Sequence, residues 1–109
     1  QNFVENQGFS VVRDFCGHGI GQTFHCPPNV MHYGNKGEGL VLKEGMIFTI
    51  EPMVNSGKYQ TKILDDGWTA VTKDRSLSAQ FEHTIGVTPK GFEIFTLSPK
   101  GYTQPPYEI

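Results

Sequence analysis

Apolar and β-branched residues in this chain come in short runs, each bounded by glycine, proline or polar turns. That spacing predicts strands and hairpins, not long amphipathic helices. Ser10-Val11-Val12-Arg13-Asp14-Phe15 predicts a first strand. Lys43-Glu44-Gly45 predicts a tight turn feeding Met46-Ile47-Phe48-Thr49-Ile50-Glu51, an apolar strand that enters the core. Two more strands are expected around Ile63-Leu64 and Trp68–Thr72, on either side of Asp65-Asp66-Gly67. Gln80 to Val87 predicts a strand that turns at Pro89-Lys90-Gly91 and returns over Phe92–Leu97. The opening, Gln1 to Gly8, reads as the tail of a helix with Gly8 as its C-terminal cap. Cys26-Pro27-Pro28-Asn29, Asn35–Gly39, Asn55–Lys58 and Lys73-Asp74-Arg75 predict loops and turns. The resulting fold class is α+β, mostly antiparallel β-sheet, with one domain over residues 1–97 and an extended, proline-containing tail over 98–109.

A length of 109 residues allows at most one domain. Nine basic residues against eleven acidic ones, with no basic run, argue against direct binding of nucleic acid or an anionic membrane. The apolar stretches are too short to span a bilayer. The chain shows no N-terminal signal pattern and does not begin with Met; opening on the end of a helix, it is expected to be cut from a longer chain. Cys16 and Cys26 are not spaced as C-x-x-C, and they read as two reduced thiols of a cytosolic protein, with a disulfide as the alternative.

Candidate chemistry starts from two carboxylates. Glu51 and Glu82 lie in strand-like apolar runs, where an ionised group costs several kcal/mol unless a cation or hydrogen-bond donors compensate it. The nearest basic residues to Glu51 along the chain, Lys43 and Lys58, are both in turns, so a local ion pair has no sponsor. His18 stands between Gly17 and Gly19, and glycines at alternate positions let a ligand or another backbone approach closely. One histidine and two carboxylates meeting in space would form a mixed N/O site for a divalent first-row metal. Taken one at a time, each residue also has an ordinary reading. His18 and His25 are then loop histidines satisfied by nearby groups, and Phe24 and Trp68 are packing residues. Alternation sends His83 to the face opposite Glu82, which makes it structural. His32 carries no assigned role.

Four segments decide between these readings: Cys16-Gly17-His18-Gly19-Ile20-Gly21, Phe48-Thr49-Ile50-Glu51-Pro52-Met53, Asp66-Gly67-Trp68-Thr69 and Ser78-Ala79-Gln80-Phe81-Glu82-His83-Thr84. In order and spacing they resemble the type I methionine aminopeptidases of peptidase family M24, over Phe9 to Thr96. The interval between Glu51 and Glu82 leaves no room for the helical insertion of type II relatives, and Asp74-Arg75-Ser76-Leu77-Ser78 has a bacterial look. The resemblance implies the pita-bread fold, in which two α/β halves enclose a dinuclear metal site, with this chain as most of the C-terminal half. It implies His18, Glu51 and Glu82 as metal ligands, Glu82 bridging two divalent ions (Co, Mn, Fe or Zn) and Glu51 also exchanging a proton with the activated water. It implies His25 as a catalytic histidine that hydrogen-bonds the scissile amide and stabilises the tetrahedral intermediate. Phe24, His25 and Trp68 are implied as substrate-binding, with aromatic surface receiving the methionine thioether. Gln80 is expected near the site. The implied activity is removal of the initiator methionine from nascent chains when the next residue is small, in the cytoplasm, by a monomeric parent enzyme working at the ribosome.

The match is incomplete in one respect. The family's ligand set includes two aspartates from its first half, and none of Asp14, Asp65, Asp66 or Asp74 stands in that motif. The 109-residue chain alone is therefore expected to bind metal weakly and not to turn over. The competing readings are another pita-bread peptidase, such as a proline-specific one, and a non-catalytic pita-bread protein used for binding.

Overall fold

The structure, a computed structural model, describes residues 1–102. Helix α1 (Asn2–Asn6) opens the chain and ends as its sequence predicts. Gly8 adopts φ +82°, its N–H bonds the Glu5 carbonyl at 3.0 Å, and the Phe9 N–H bonds that of Val4 at 3.2 Å. This pair of reverse bonds satisfies two carbonyls that the helix end would leave orphaned.

Ten short strands follow: β1 (Ser10–Val11), β2 (Gly17–Gly19), β3 (Cys26–Val30), β4 (Ile47–Ile50), β5 (Met53–Asn55), β6 (Thr61–Ile63), β7 (Ala70–Thr72), β8 (Ser78–Gln80), β9 (His83–Thr88) and β10 (Gly91–Ile94). They form a five-stranded sheet in the order β10-β9-β4-β2-β3, a three-stranded sheet in the order β1-β5-β8, and the β6-β7 pair. Every pairing is antiparallel. Among the described residues no helix is long and apolar enough to cross a membrane.

The structure departs from the expected elements in two places that matter. Cys26-Pro27-Pro28-Asn29, expected as a loop, forms most of β3, paired with β2. The prolines are tolerated because β3 is the outermost strand of its sheet, where a missing N–H costs no ladder bond. The expected strand Gln80–Val87 is two strands, β8 and β9, in different sheets, with Phe81-Glu82 in the break. The partner chain breaks at the same level: β4 ends at Ile50, β5 begins at Met53, and Glu51-Pro52 lie between. Ile50 pairs with His83 on one side of the break and Met53 with Gln80 on the other. Two residues separate those pairs on each strand, so the register runs through without an insertion and sets Glu51 opposite Glu82.

β4 is the spine of this arrangement. Phe48 and Thr49, which point to opposite faces, are both buried, so the strand is covered on both sides. Val11, Val12 and Asn55 are buried with them. Elsewhere large apolar side chains stand in the open, including Leu40, Val41, Leu42, Phe81, Phe92 and Leu97. The radius of gyration, 15.5 Å, exceeds the about 13 Å of a compact domain of this length. The expected tail starts with a turn closed by the Gly101 N–H on the Ser98 carbonyl at 3.0 Å; its later part, 103–109, lies outside the described residues.

Candidate metal centre

The sequence folds β2 between β4 and β3, and one glycine on each side lets those neighbours come close. A Cβ at Gly17 would collide with the Thr49 carbonyl oxygen, and one at Gly19 with the Pro27 carbonyl oxygen. Between them sits His18, at a register shift of the β2-β3 ladder. Such irregularities re-aim a side chain out of the regular alternation. The His18 Nδ1 lies 3.0 Å from the Gly19 carbonyl oxygen. A carbonyl only accepts, so Nδ1 carries the proton and Nε2 is left with a free lone pair. A metal-binding histidine needs this kind of second partner on its other nitrogen.

Thr49 couples the histidine to the first carboxylate. Its Oγ1 accepts the His18 backbone N–H at 2.9 Å and lies 2.8 Å from Glu51 Oε1, to which it donates. Thr49 and Glu51 share a face because they are two apart along an extended strand. The His18 Nε2 stands 3.7 Å from Glu51 Oε1. Glu82 completes the group: one ligand atom from each of His18, Glu51 and Glu82 lies within 4.8 Å of the others.

The donor set fits a divalent first-row cation. Two carboxylates opposite one another on an antiparallel ladder repel. Among the described residues, the basic side chain that comes within ion-pair distance of either of them is His18, whose Nε2 turns a lone pair, not a proton, toward Glu51. One imidazole with its far nitrogen tied and two carboxylates at this spacing supply three donors of the types that Mn, Fe, Co and Zn accept.

Four further side chains touch Glu51 or His18. Gln80 donates from Nε2 to the Glu51 carbonyl oxygen at 3.0 Å and approaches Oε2 at 3.5 Å. His25 and Phe24, in the loop before β3, stack around His18, with ring centroids at 4.2 Å and 5.3 Å from it and 4.4 Å from each other. Both are exposed, so they form an open aromatic wall beside the metal group. His32, which the sequence left without a role, accepts the Glu51 backbone N–H on Nε2 at 3.0 Å. Burial pushes its pKa below the usual histidine value, against the pull of the Glu51 charge, which favours the neutral ring that this acceptor role requires.

Trp68 adds no ring contact to this group among the described residues. It lies between β6 and β7 and is 88% exposed. His83 faces away as expected, its Nδ1 2.9 Å from Thr96 Oγ1. Thr49 and His32 are the site residues that the sequence did not single out. A threonine inside an apolar strand is a usable signal for the first, because a buried hydroxyl needs partners. His32 bonds a backbone group far along the chain, and no local pattern marks such a contact.

Over residues 1–89 the chain matches metallopeptidase family M24, and it belongs to that family of metal-dependent hydrolases. Among its relatives, the methionine aminopeptidase of Rickettsia prowazekii is 61% identical over 98% of this chain and 42% of its own length. That of Escherichia coli strain K12 is 63% identical over 89% of the chain and 37% of its own. Solved structures agree. The R. prowazekii methionine aminopeptidase superposes with a TM-score of 0.87 over 89% of this chain and 40% of its own length. That of Thermotoga maritima, 50% identical, superposes with a TM-score of 0.85 over 88% and 39%. The fold is thus part of the pita-bread fold, and the chain spans about two fifths of the length of these relatives.

Proposed function

We propose that this chain supplies His18, Glu51 and Glu82 to the dinuclear site of a methionyl aminopeptidase. The observation that carries the proposal is the meeting of these three side chains, within 4.8 Å, at the break of a ladder whose register sets the two glutamates opposite each other. Bound there, two divalent ions (Co, Mn, Fe or Zn) supply the Lewis acidity that activates water for peptide hydrolysis.

The chain's own residues do the rest. Glu82, with two carboxylate oxygens, and Glu51, steadied on one oxygen by Thr49, would hold the ions together with His18, and Glu51 would also serve as the group that exchanges a proton with water. His25, beside His18, donates to the scissile amide and to the negative charge that develops on its oxygen. Phe24 offers aromatic surface to the methionine thioether. Trp68, exposed between β6 and β7, offers a further aromatic surface to the same side chain. Substrates are N-terminal Met-peptides and nascent chains with a small second residue, met in the cytoplasm at the ribosome by a monomeric enzyme. The 109-residue chain alone is inactive, because the remaining acidic ligands belong to the part of the family's domain that it does not match.

The test is methionine release from a Met-Gly-Met peptide with added Mn or Co. It compares the chain as it stands with a full-length chain in which it replaces the matching segment of the E. coli relative. Activity confined to the full-length chain is expected. Release of proline dipeptides instead would favour the proline-specific alternative, and no hydrolysis of either would favour the non-catalytic one.

A further inference from the structure

We infer that His32 is a positioning residue for Glu51, replacing with its imidazole the sheet bond that the ligand's backbone lacks. The inference rests on the reading of Glu51 as a metal ligand.

Its basis is the accounting of backbone hydrogen bonds along β4. The Ile47 carbonyl accepts the Ile20 N–H at 2.9 Å, so the odd-numbered residues of β4 turn their backbone polar groups toward β2. Glu51 continues that series. In the register set by Gly19 and Phe48, however, it stands opposite Cys16, which precedes the first residue of β2. The ladder with β2 ends before this level, and the Glu51 N–H is taken by a side chain instead of a strand carbonyl. The next residue is Pro52, which has no N–H to share in stabilising the break. A half-buried N–H left without an acceptor is costly, and native structures pair such groups.

His32 fills the position. It lies just past the end of β3, the strand that pairs with β2, and its Nε2 accepts the Glu51 N–H at 3.0 Å. The loop is held from the other side by its neighbour: Tyr33 and Tyr59 flank Arg13, whose guanidinium carbon lies 5.5 Å and 4.2 Å from their ring centroids. With Gln80 on the Glu51 carbonyl and Thr49 on its carboxylate, every polar group of the ligand is directed by a different segment. Removing the acceptor at His32 frees the backbone of Glu51 to rotate at the break and moves the carboxylate off the metal position.

The experiment uses the full-length chimera with the E. coli relative, wild type, His32→Ala and His32→Gln, the glutamine oxygen standing where Nε2 stood. Amide hydrogen exchange at Glu51 and calorimetric titration with Mn2+ are read together with thermal unfolding. Expected are a protected Glu51 amide in the wild type, lost in His32→Ala and restored in His32→Gln. Mn2+ affinity should fall about 10- to 100-fold in His32→Ala and recover in His32→Gln. An unprotected Glu51 amide in the metal-free wild type, or His32→Ala binding Mn2+ as tightly as wild type, overturns the inference. Equal weakening in both variants, tracking unfolding temperature, also overturns it, because the role is then only structural. A wild type that binds no Mn2+ but keeps the protected amide would instead refute Glu51 as a ligand and leave the hydrogen bond standing.

Discussion

Two kinds of acid occupy this chain, and they are satisfied in opposite ways. Asp66 and Asp74 sit in turns and bond their own neighbourhood. Asp66 accepts the Thr69 hydroxyl and the N–H groups of Trp68 and Thr69, and these bonds hold its carboxyl below the usual range. Asp74 takes the N–H of Lys58, with Ser76 beside it, and is lowered from 3.8 to about 2. Glu51 and Glu82 instead come from distant strands and face each other. Glu51 is directed by Thr49, His32 and Gln80, yet the oxygens of the pair still converge on one space. Acids that stabilise a turn are complete within a few residues; on the proposed reading, Glu51 and Glu82 stay incomplete until an ion arrives.

The sharpest way to break that contrast is to remove a converging carboxylate. In the full-length chimera, Glu82→Gln should weaken Mn2+ binding by more than the about 100-fold upper end seen for outer-shell partners, with methionine release falling to background. Without metal the same change should raise stability by about 0.2–1 kcal/mol in urea unfolding, since it removes a like-charge pair across the ladder. A stability gain without loss of metal affinity would mean that the two glutamates are merely crowded.

Next in size is the spacing that brings His18 to the group. Gly17→Ala places a methyl against the Thr49 carbonyl and should cost about 1–3 kcal/mol in denaturant unfolding. A neutral Gly17→Ala would show that β2 does not need to lie so close. Thr49→Val keeps the shape but removes the acceptor of the His18 N–H and the donor to Glu51. It should cost about 1–3 kcal/mol and loosen metal binding in the same titration.

The turn acids supply the smallest effect, and it depends on pH. The folded pKa of Asp74 lies below its unfolded value, so its contribution is complete above pH 3.8 and is lost as pH falls toward about 2. Asp74→Asn should flatten the acid limb of the melting-temperature profile within that window and leave Mn2+ affinity unchanged. An unchanged acid limb would show that the Lys58 and Ser76 bonds do not favour the charged form.

Legibility in the sequence followed the range of the interaction. The Gly8 helix end, the β4 run and the hairpin turn at Pro89–Gly91 rest on neighbouring residues and could be read directly. The grouping of His18, Glu51 and Glu82 was readable because the motifs stand in a family's order; the expected setting of Glu82 inside an apolar strand does not hold, since it lies exposed in the break between β8 and β9. The strand character of Cys26–Val30 was hidden because prolines signal a loop unless the strand is known to lie at an edge. The split at Phe81-Glu82 was hidden because the apolar pattern continues through it while the chain passes between sheets. His32 and the Gly19 carbonyl take their roles from where other backbone groups end, which only the assembled ladder shows.

The most direct test of the account is anomalous diffraction at the manganese edge from crystals of the full-length chimera grown with Mn2+. A peak within bonding distance of His18 Nε2, Glu51 and Glu82 is predicted. A manganese peak that leaves any of these three outside bonding distance, or no peak in a protein that binds Mn2+ in solution, would contradict it.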